Sequence, residues 1–120
     1  MRIRVKLGAT QDGLLHAIEM EVWSNTGAYG AHGLTVLSNV GSKTLPLYNK
    51  APHVRFWGEA YYTNLPVGGA YRGYGATQAA FAMECALDEA AFERCDAPLL
   101  EGEDPLEILD DVLEEMLSGD

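Results

Sequence analysis

Residues 2–23 constrain the fold more than any other part of the chain, because one turn there satisfies two independent patterns. Ile3, Val5 and Leu7 alternate with Arg2, Arg4 and Lys6, the period of two that belongs to a strand with one buried face. Asp12 and Gly13 follow, a pair suited to a two-residue type I′ turn, whose central residues both take positive φ. Folding back at that turn sets Leu7 opposite Ile18, Val5 opposite Met20 and Ile3 opposite Val22. On the other side Lys6 meets Glu19, Arg4 meets Glu21, and Arg2 lies over Trp23. Each pair is worth only about 0.2–1 kcal/mol, but all of them agree on one register. The sequence predicts an antiparallel hairpin.

Beyond the hairpin the pattern changes. Ser24 to Gly33 is turn-rich and reads either as a wide surface loop or as glycines serving a binding site. Leu34 to Leu45 reads as a short helix, Pro46 and Pro52 bracket a connection, and His53 to Thr63 reads as a strand with Val54, Phe56 and Tyr61 giving apolar surface. Thr77 to Glu93 is predicted helical, with Ala80, Met83, Leu87 and Ala91 forming its buried stripe. A last helix is marked by Asp104 as cap, Pro105 in the first turn and Glu107 at capping-box spacing. Leu106, Leu109, Leu113, Met116 and Leu117 give its apolar face, and Gly119 stops it. The expected class is α+β: an N-terminal β-hairpin in a small mixed sheet packed against two or more helices.

Charge divides the chain. Residues 1–83 carry seven basic and four acidic residues, whereas residues 84–120 carry one and fourteen. A tail this acidic repels nucleic acid and reads first as a solvated helical face, second as a docking surface for a basic partner. No apolar run approaches the roughly 18 residues of a membrane span. The opening residues alternate instead of forming a basic segment and an apolar core, so export is not expected. Cys85 and Cys95 lie ten residues apart on one predicted helix, about 15 Å and too far for a disulfide. Free thiols fit a reducing cytoplasm.

The chemistry-bearing stretch is Gly68-Gly69-Ala70-Tyr71-Arg72-Gly73-Tyr74-Gly75-Ala76-Thr77-Gln78, which runs straight into a helix. Its glycines allow positive φ and close approach to backbone N–H groups, and a helix start adds unpaired donors with a partial positive charge. Arg72 adds a cationic fork, and Tyr71 and Tyr74 can wall off a flat ligand. From these residues alone a tight structural turn and an anion or cofactor contact both stand, and Arg72 can equally pair with an acidic helix. Gly73-Tyr74-Gly75 lacks the third glycine and distant acidic residue of a dinucleotide site. His16, His32 and His53 have no ligand spacing, and no metal site or catalytic residue is assigned.

Ordered blocks extend the loop in both directions. Arg4 to Thr10 with Asp12 and Gly13, Ser24 to Tyr29, Leu45 to Tyr48, Thr63 to Pro66, Gly69 to Gln78, Phe81 to Glu84 and Asp88 to Ala91 together resemble the molybdopterin-binding large subunit of the xanthine dehydrogenase and aldehyde oxidase family. The resemblance covers roughly residues 2–92, which makes residues 1–93 a segment of a larger molybdenum-cofactor-binding domain and residues 94–120 an acidic helical addition. It implies an oxidoreductase that hydroxylates heterocycles or aldehydes with oxygen from water. A molybdopterin-type molybdenum cofactor would be held partly by Gly73, Gly75 and Ala76, with Arg72 and Tyr74 at the substrate. Partners would be the remainder of the molybdenum subunit and iron–sulfur and FAD domains or subunits, with homo-oligomers through exposed apolar faces.

The family's upstream glycine–phenylalanine–glycine loop and downstream general-base glutamate have no counterpart here, and Lys43 stands near the position of the arginine that orients purines. The resemblance therefore implies an internal fragment that is inactive alone. A non-enzymatic binding module using its acidic helices is the alternative.

Overall fold

The computed structural model describes residues 1–10 and 12–95. In order they form β1 (Arg2–Ala9), β2 (Leu15–Gly27), α1 (Gly33–Thr44), a 3-10 turn (Leu45–Tyr48), β3 (His53–Tyr62) and α2 (Ala76–Cys95). The sheet order is β1-β2-β3, with β1 antiparallel and β3 parallel to the central β2. A parallel neighbour cannot follow a tight turn, so the chain crosses over through α1 before returning as β3. The predicted final helix lies outside the described residues.

The hairpin register is the expected one, from Arg2 opposite Trp23 to Leu7 opposite Ile18. Its turn is not. Thr10 and Leu14 close the loop: the Leu14 carbonyl accepts from the Thr10 amide at 2.9 Å, and the Thr10 carbonyl accepts from the Gly13 amide at 3.0 Å. Three residues separate that pair instead of two, and positive φ occurs at Gly13 but not at Asp12. The extra residue is absorbed by an irregularity at Gly8 and Ala9, so the longer hairpin loop leaves the rest of the register intact.

One face of the sheet carries the core. Ile18, Met20 and Val22 are buried against Leu37 and Val40 of α1 and Ala79, Met83, Leu87 and Ala91 of α2. The α2 stripe begins at Ala79, not Ala80: four residues spaced by four line one side, and Ala80 is only half-buried. Helix α1 lies very close to β3. A Cβ on Gly41 would come within 2.8 Å of the Phe56 ring, and one on Gly58 within 2.9 Å of Leu37.

The opposite face is open and polar. Lys6 and Arg55 both pair with Glu19, at 2.8 and 3.2 Å, and Arg4 pairs with Glu21 at 3.4 Å. The hydrogen bond donated by Lys6 holds the Glu19 carboxyl below its ordinary range. Trp23 and Trp57 meet edge to face with centroids 5.7 Å apart, and the Arg2 guanidinium sits 5.5 Å from the Trp23 ring.

Candidate functional site

The glycine loop is held at both ends by backbone geometry that side chains would block. Strand β2 runs further than expected, through Ser24 to Gly27 beside β3, so this stretch is not a surface loop. Its last residues carry the segment that leaves β3. The Thr63 amide donates to the Gly27 carbonyl at 3.1 Å, the Thr63 hydroxyl donates to Asn25 Oδ1 at 2.7 Å, and the Ala28 amide donates to the Leu65 carbonyl at 3.1 Å. Gly27 has φ +70, and a Cβ there would lie 2.4 Å from the Pro66 oxygen.

From Gly69 the chain stands clear. A Cβ on Gly69 would meet nothing within 4 Å, Tyr71 is 87% exposed, and Arg72 is exposed. The three ion pairs among the described residues lie on the polar face of the sheet, and Arg72 belongs to none of them.

Three consecutive residues then take positive φ: Gly73 (+89), Tyr74 (+52) and Gly75 (+105). A bulky residue in that region is strained and persists only where its surroundings over-determine it. Two contacts do so here. Gly75 is pressed onto α1, where an added Cβ would sit 2.3 Å from the Val36 oxygen and 3.3 Å from the Val40 nitrogen. The Tyr74 hydroxyl lies 2.8 Å from His32 Nδ1.

Within the turn the Tyr74 amide donates to the Tyr71 carbonyl at 2.7 Å and the Ala76 amide to the Gly73 carbonyl at 2.9 Å. Helix α2 begins at Ala76. The Ala79 amide likewise reaches back to the Gly75 carbonyl at 3.3 Å, and the first turn carries no acidic residue.

All five residues expected at the site, Arg72, Gly73, Tyr74, Gly75 and Ala76, therefore occupy one turn between the sheet and α2. The residue that sequence reasoning missed is His32. It occupies the N-cap position of α1 without capping it, because its ring reaches across to Tyr74. No local spacing announces that contact. The one hint was Gly-Ala-His-Gly before an apolar helix, where Ala31 is also forced to positive φ (+38).

This arrangement suits a large anionic group on one side: an open backbone at Gly69, a helix start, and a guanidinium with no ion-pair partner among the described residues. It is a wall and not an enclosure, since Tyr71 and Arg72 remain exposed. Among the described residues no group of three metal-ligating side chains comes together.

Comparison with known proteins gives the wall a context. The molybdopterin cofactor-binding domain family matches residues 1–99. A probable hypoxanthine oxidase of Escherichia coli K12 is 47% identical over 90 residues, which is 75% of this chain and 9% of that protein. The large molybdopterin subunit of the nicotinate dehydrogenase of Eubacterium barkeri is 36% identical over 91 residues, 76% of this chain and 21% of that one. Among solved structures, an aldehyde oxidoreductase from Desulfovibrio gigas superposes with a TM-score of 0.67 at 36% identity, covering 91% of this chain and 11% of that one. The chain thus spans about a tenth to a fifth of the length of these relatives.

Proposed function

The chain belongs to the molybdopterin cofactor-binding domain family, and from that premise we propose that it forms one wall of a molybdenum hydroxylase active site. The fold is part of a larger molybdenum-binding domain, and the relatives are molybdenum oxidoreductases. The observation that carries the reading is the run of positive φ from Gly73 to Gly75, seated on α1 and open beyond Arg72.

In this reading the backbone of Gly73, Gly75 and Ala76 lies along the anionic pterin-bearing group, while the absent Cβ atoms of Gly73 and Gly75 let the turn close onto Thr77 and α1. Arg72 sets a fixed positive charge beside it and orients a substrate oxygen. The Tyr74 ring flanks the substrate, its tilt set by the hydroxyl contact to His32. When bound, the molybdenum cofactor supplies the two-electron oxidation and the water-derived oxygen. The chain's own groups position and hold, and no general base is assigned among them.

Iron–sulfur and flavin domains, the remainder of the molybdenum subunit and a cytoplasmic setting belong to the same proposal. Among the described residues no helix is long and apolar enough to cross a membrane, and the Cys85 thiol is free and exposed.

The test has two arms. Grafting residues 68–78 into the matching stretch of the Escherichia coli relative is expected to retain molybdenum, and Arg72→Ala in the graft is expected to lower dye-linked oxidation. Loss of molybdenum from the graft would overturn the cofactor role. The 120-residue chain produced alone is expected to show no turnover on purines or aldehydes, and clear turnover would overturn the claim that it is one wall of a larger site.

A further inference from the structure

Two segments 42 positions apart meet at one polar contact, and the backbone holds each of them in place. His32 stands between Ala31, at φ +38, and Gly33, where an added Cβ would come 2.5 Å from the Thr26 side chain of β2. The Gly33 amide donates to the Gly30 carbonyl at 2.7 Å, and the His32 carbonyl accepts from the Val36 amide at 2.9 Å. Tyr74 stands between two glycines of positive φ, and its amide donates to the Tyr71 carbonyl at 2.7 Å. The ring centroids lie 6.0 Å apart with the planes tilted by 60°, so the rings do not stack. What joins them is the 2.8 Å contact between the Tyr74 hydroxyl and His32 Nδ1.

That contact works in either polarity. A neutral imidazole has one N–H and one lone pair, and the hydrogen bond made at one nitrogen settles which of them holds the proton. A phenol is a better donor than acceptor. With His32 neutral, the Tyr74 hydroxyl therefore donates to Nδ1 and the imidazole proton sits on Nε2. The hydroxyl has then committed its one hydrogen and offers a third group only lone pairs. With His32 protonated both ring nitrogens are donors, Nδ1–H donates to the Tyr74 oxygen, and the phenol hydrogen turns outward. Because both backbones are fixed, the reversal moves hydrogens and leaves the side chains in place.

The neighbouring groups leave that choice to the pair. Strand β3 brings Tyr62 over Gly30, the turn before α2 brings Arg72, the segment before α1 brings Tyr29, and the first turn of α1 has no acidic residue. Among the described residues no carboxylate pairs with His32.

We propose that His32 determines specificity at this site: its charge state decides whether the Tyr74 hydroxyl meets a bound heterocycle as acceptor or as donor. Neutral His32 favours an edge that presents N–H, and protonated His32 favours one that presents a carbonyl oxygen or a bare ring nitrogen. The reversal stands on the fold alone, whereas its reading as substrate selection rests on the function proposed above.

Two measurements test it. On the full chain, long-range proton–nitrogen correlation of the imidazole rings follows His32 between about pH 5 and 8, the range in which histidines change charge. At the upper end Nε2 is expected to carry the proton, and on acidification the Tyr74 ring signals are expected to move in step with His32. Tyr74→Phe is expected to shift the His32 nitrogen signals at the upper end, since Nδ1 loses its donor. A proton on Nδ1 there, Tyr74 signals indifferent to His32, or His32 signals unchanged in Tyr74→Phe would each overturn the reversal.

The second measurement uses the Escherichia coli relative carrying residues 29–33 and 68–78 of this chain. On acidification, kcat/KM for an N–H-presenting heterocycle relative to a carbonyl-presenting one is expected to fall about fivefold, the weight of one hydrogen bond. In His32→Gln, which does not titrate, the ratio is expected to be flat. A flat ratio with His32 in place, or the same slope in His32→Gln, would overturn the selection. Loss of molybdenum from this graft would instead overturn the function proposed above, and the ring measurement would still decide the reversal.

Discussion

Replacing Gly75 with alanine tests whether the turn is held by close approach to α1. The residue is buried with φ +105, and its Cβ would lie 2.3 Å from the Val36 oxygen. Two costs add. An L side chain at that φ is strained by about 1–3 kcal/mol, and a methyl group forced into backbone costs a further 1–3 kcal/mol or so. Relief by movement is limited, because the obstructing atoms belong to the backbone of a helix whose Val36, Leu37 and Val40 are part of the core.

The expected destabilisation is about 2–6 kcal/mol, a large share of the roughly 5–15 kcal/mol that holds a domain together. Urea unfolding followed by far-ultraviolet circular dichroism measures it. Gly69→Ala is the matched control, since nothing lies within 4 Å of a Cβ there and no positive φ applies, and it should fall within about 0.5 kcal/mol of the unaltered chain. Two variants of equal stability would refute the reasoning, because the turn would then not be seated on α1.

Met83 is fully buried between the helices and the sheet, so Met83→Ala should cost about 2–5 kcal/mol in the same urea assay through the cavity it leaves. His32→Ala removes the partner of the Tyr74 hydroxyl. It should cost only about 0.5–1.5 kcal/mol but accelerate amide hydrogen exchange at Gly73 to Ala76. The Tyr48 phenol is raised above its ordinary value of 10.0, first by burial and then by its hydrogen bond to Glu84. The folded chain therefore holds that proton more tightly than the unfolded one, and the contribution is complete below pH about 10 and lost above it. Thermal melts of Tyr48→Phe should show a flatter alkaline limb. The Glu19 carboxyl is shifted the other way by Lys6. Its contribution is present above its ordinary 4.5 and lost as pH falls, so Lys6→Ala should reduce acid sensitivity in melts at low salt.

The hairpin register was legible because period-two alternation and cross-strand charge are both local, and they agreed. Its turn was misread because Asp-Gly also suits a longer loop, once an irregularity at Gly8 and Ala9 absorbs the extra residue. The start of the buried stripe on α2 was off by one because residues 79 and 80 are both alanine. Nothing in the sequence separates two identical side chains, and only the seat of α2 on its neighbours does.

The glycine loop was legible in composition and place but not in shape. That three consecutive residues would take positive φ, and that His32 would arrive from 42 positions away to hold Tyr74, depends on where α1 comes to rest. By itself the sequence determined the kinds of element found among the described residues, the hairpin pairing and the family resemblance, because these rest on patterns between near neighbours and on ordered motifs. Tertiary structure alone decided the parallel docking of β3, the closeness of Gly75 to α1 and the tether between His32 and Tyr74. Each of these joins residues far apart in the chain, and shared burial against one sheet brings them together.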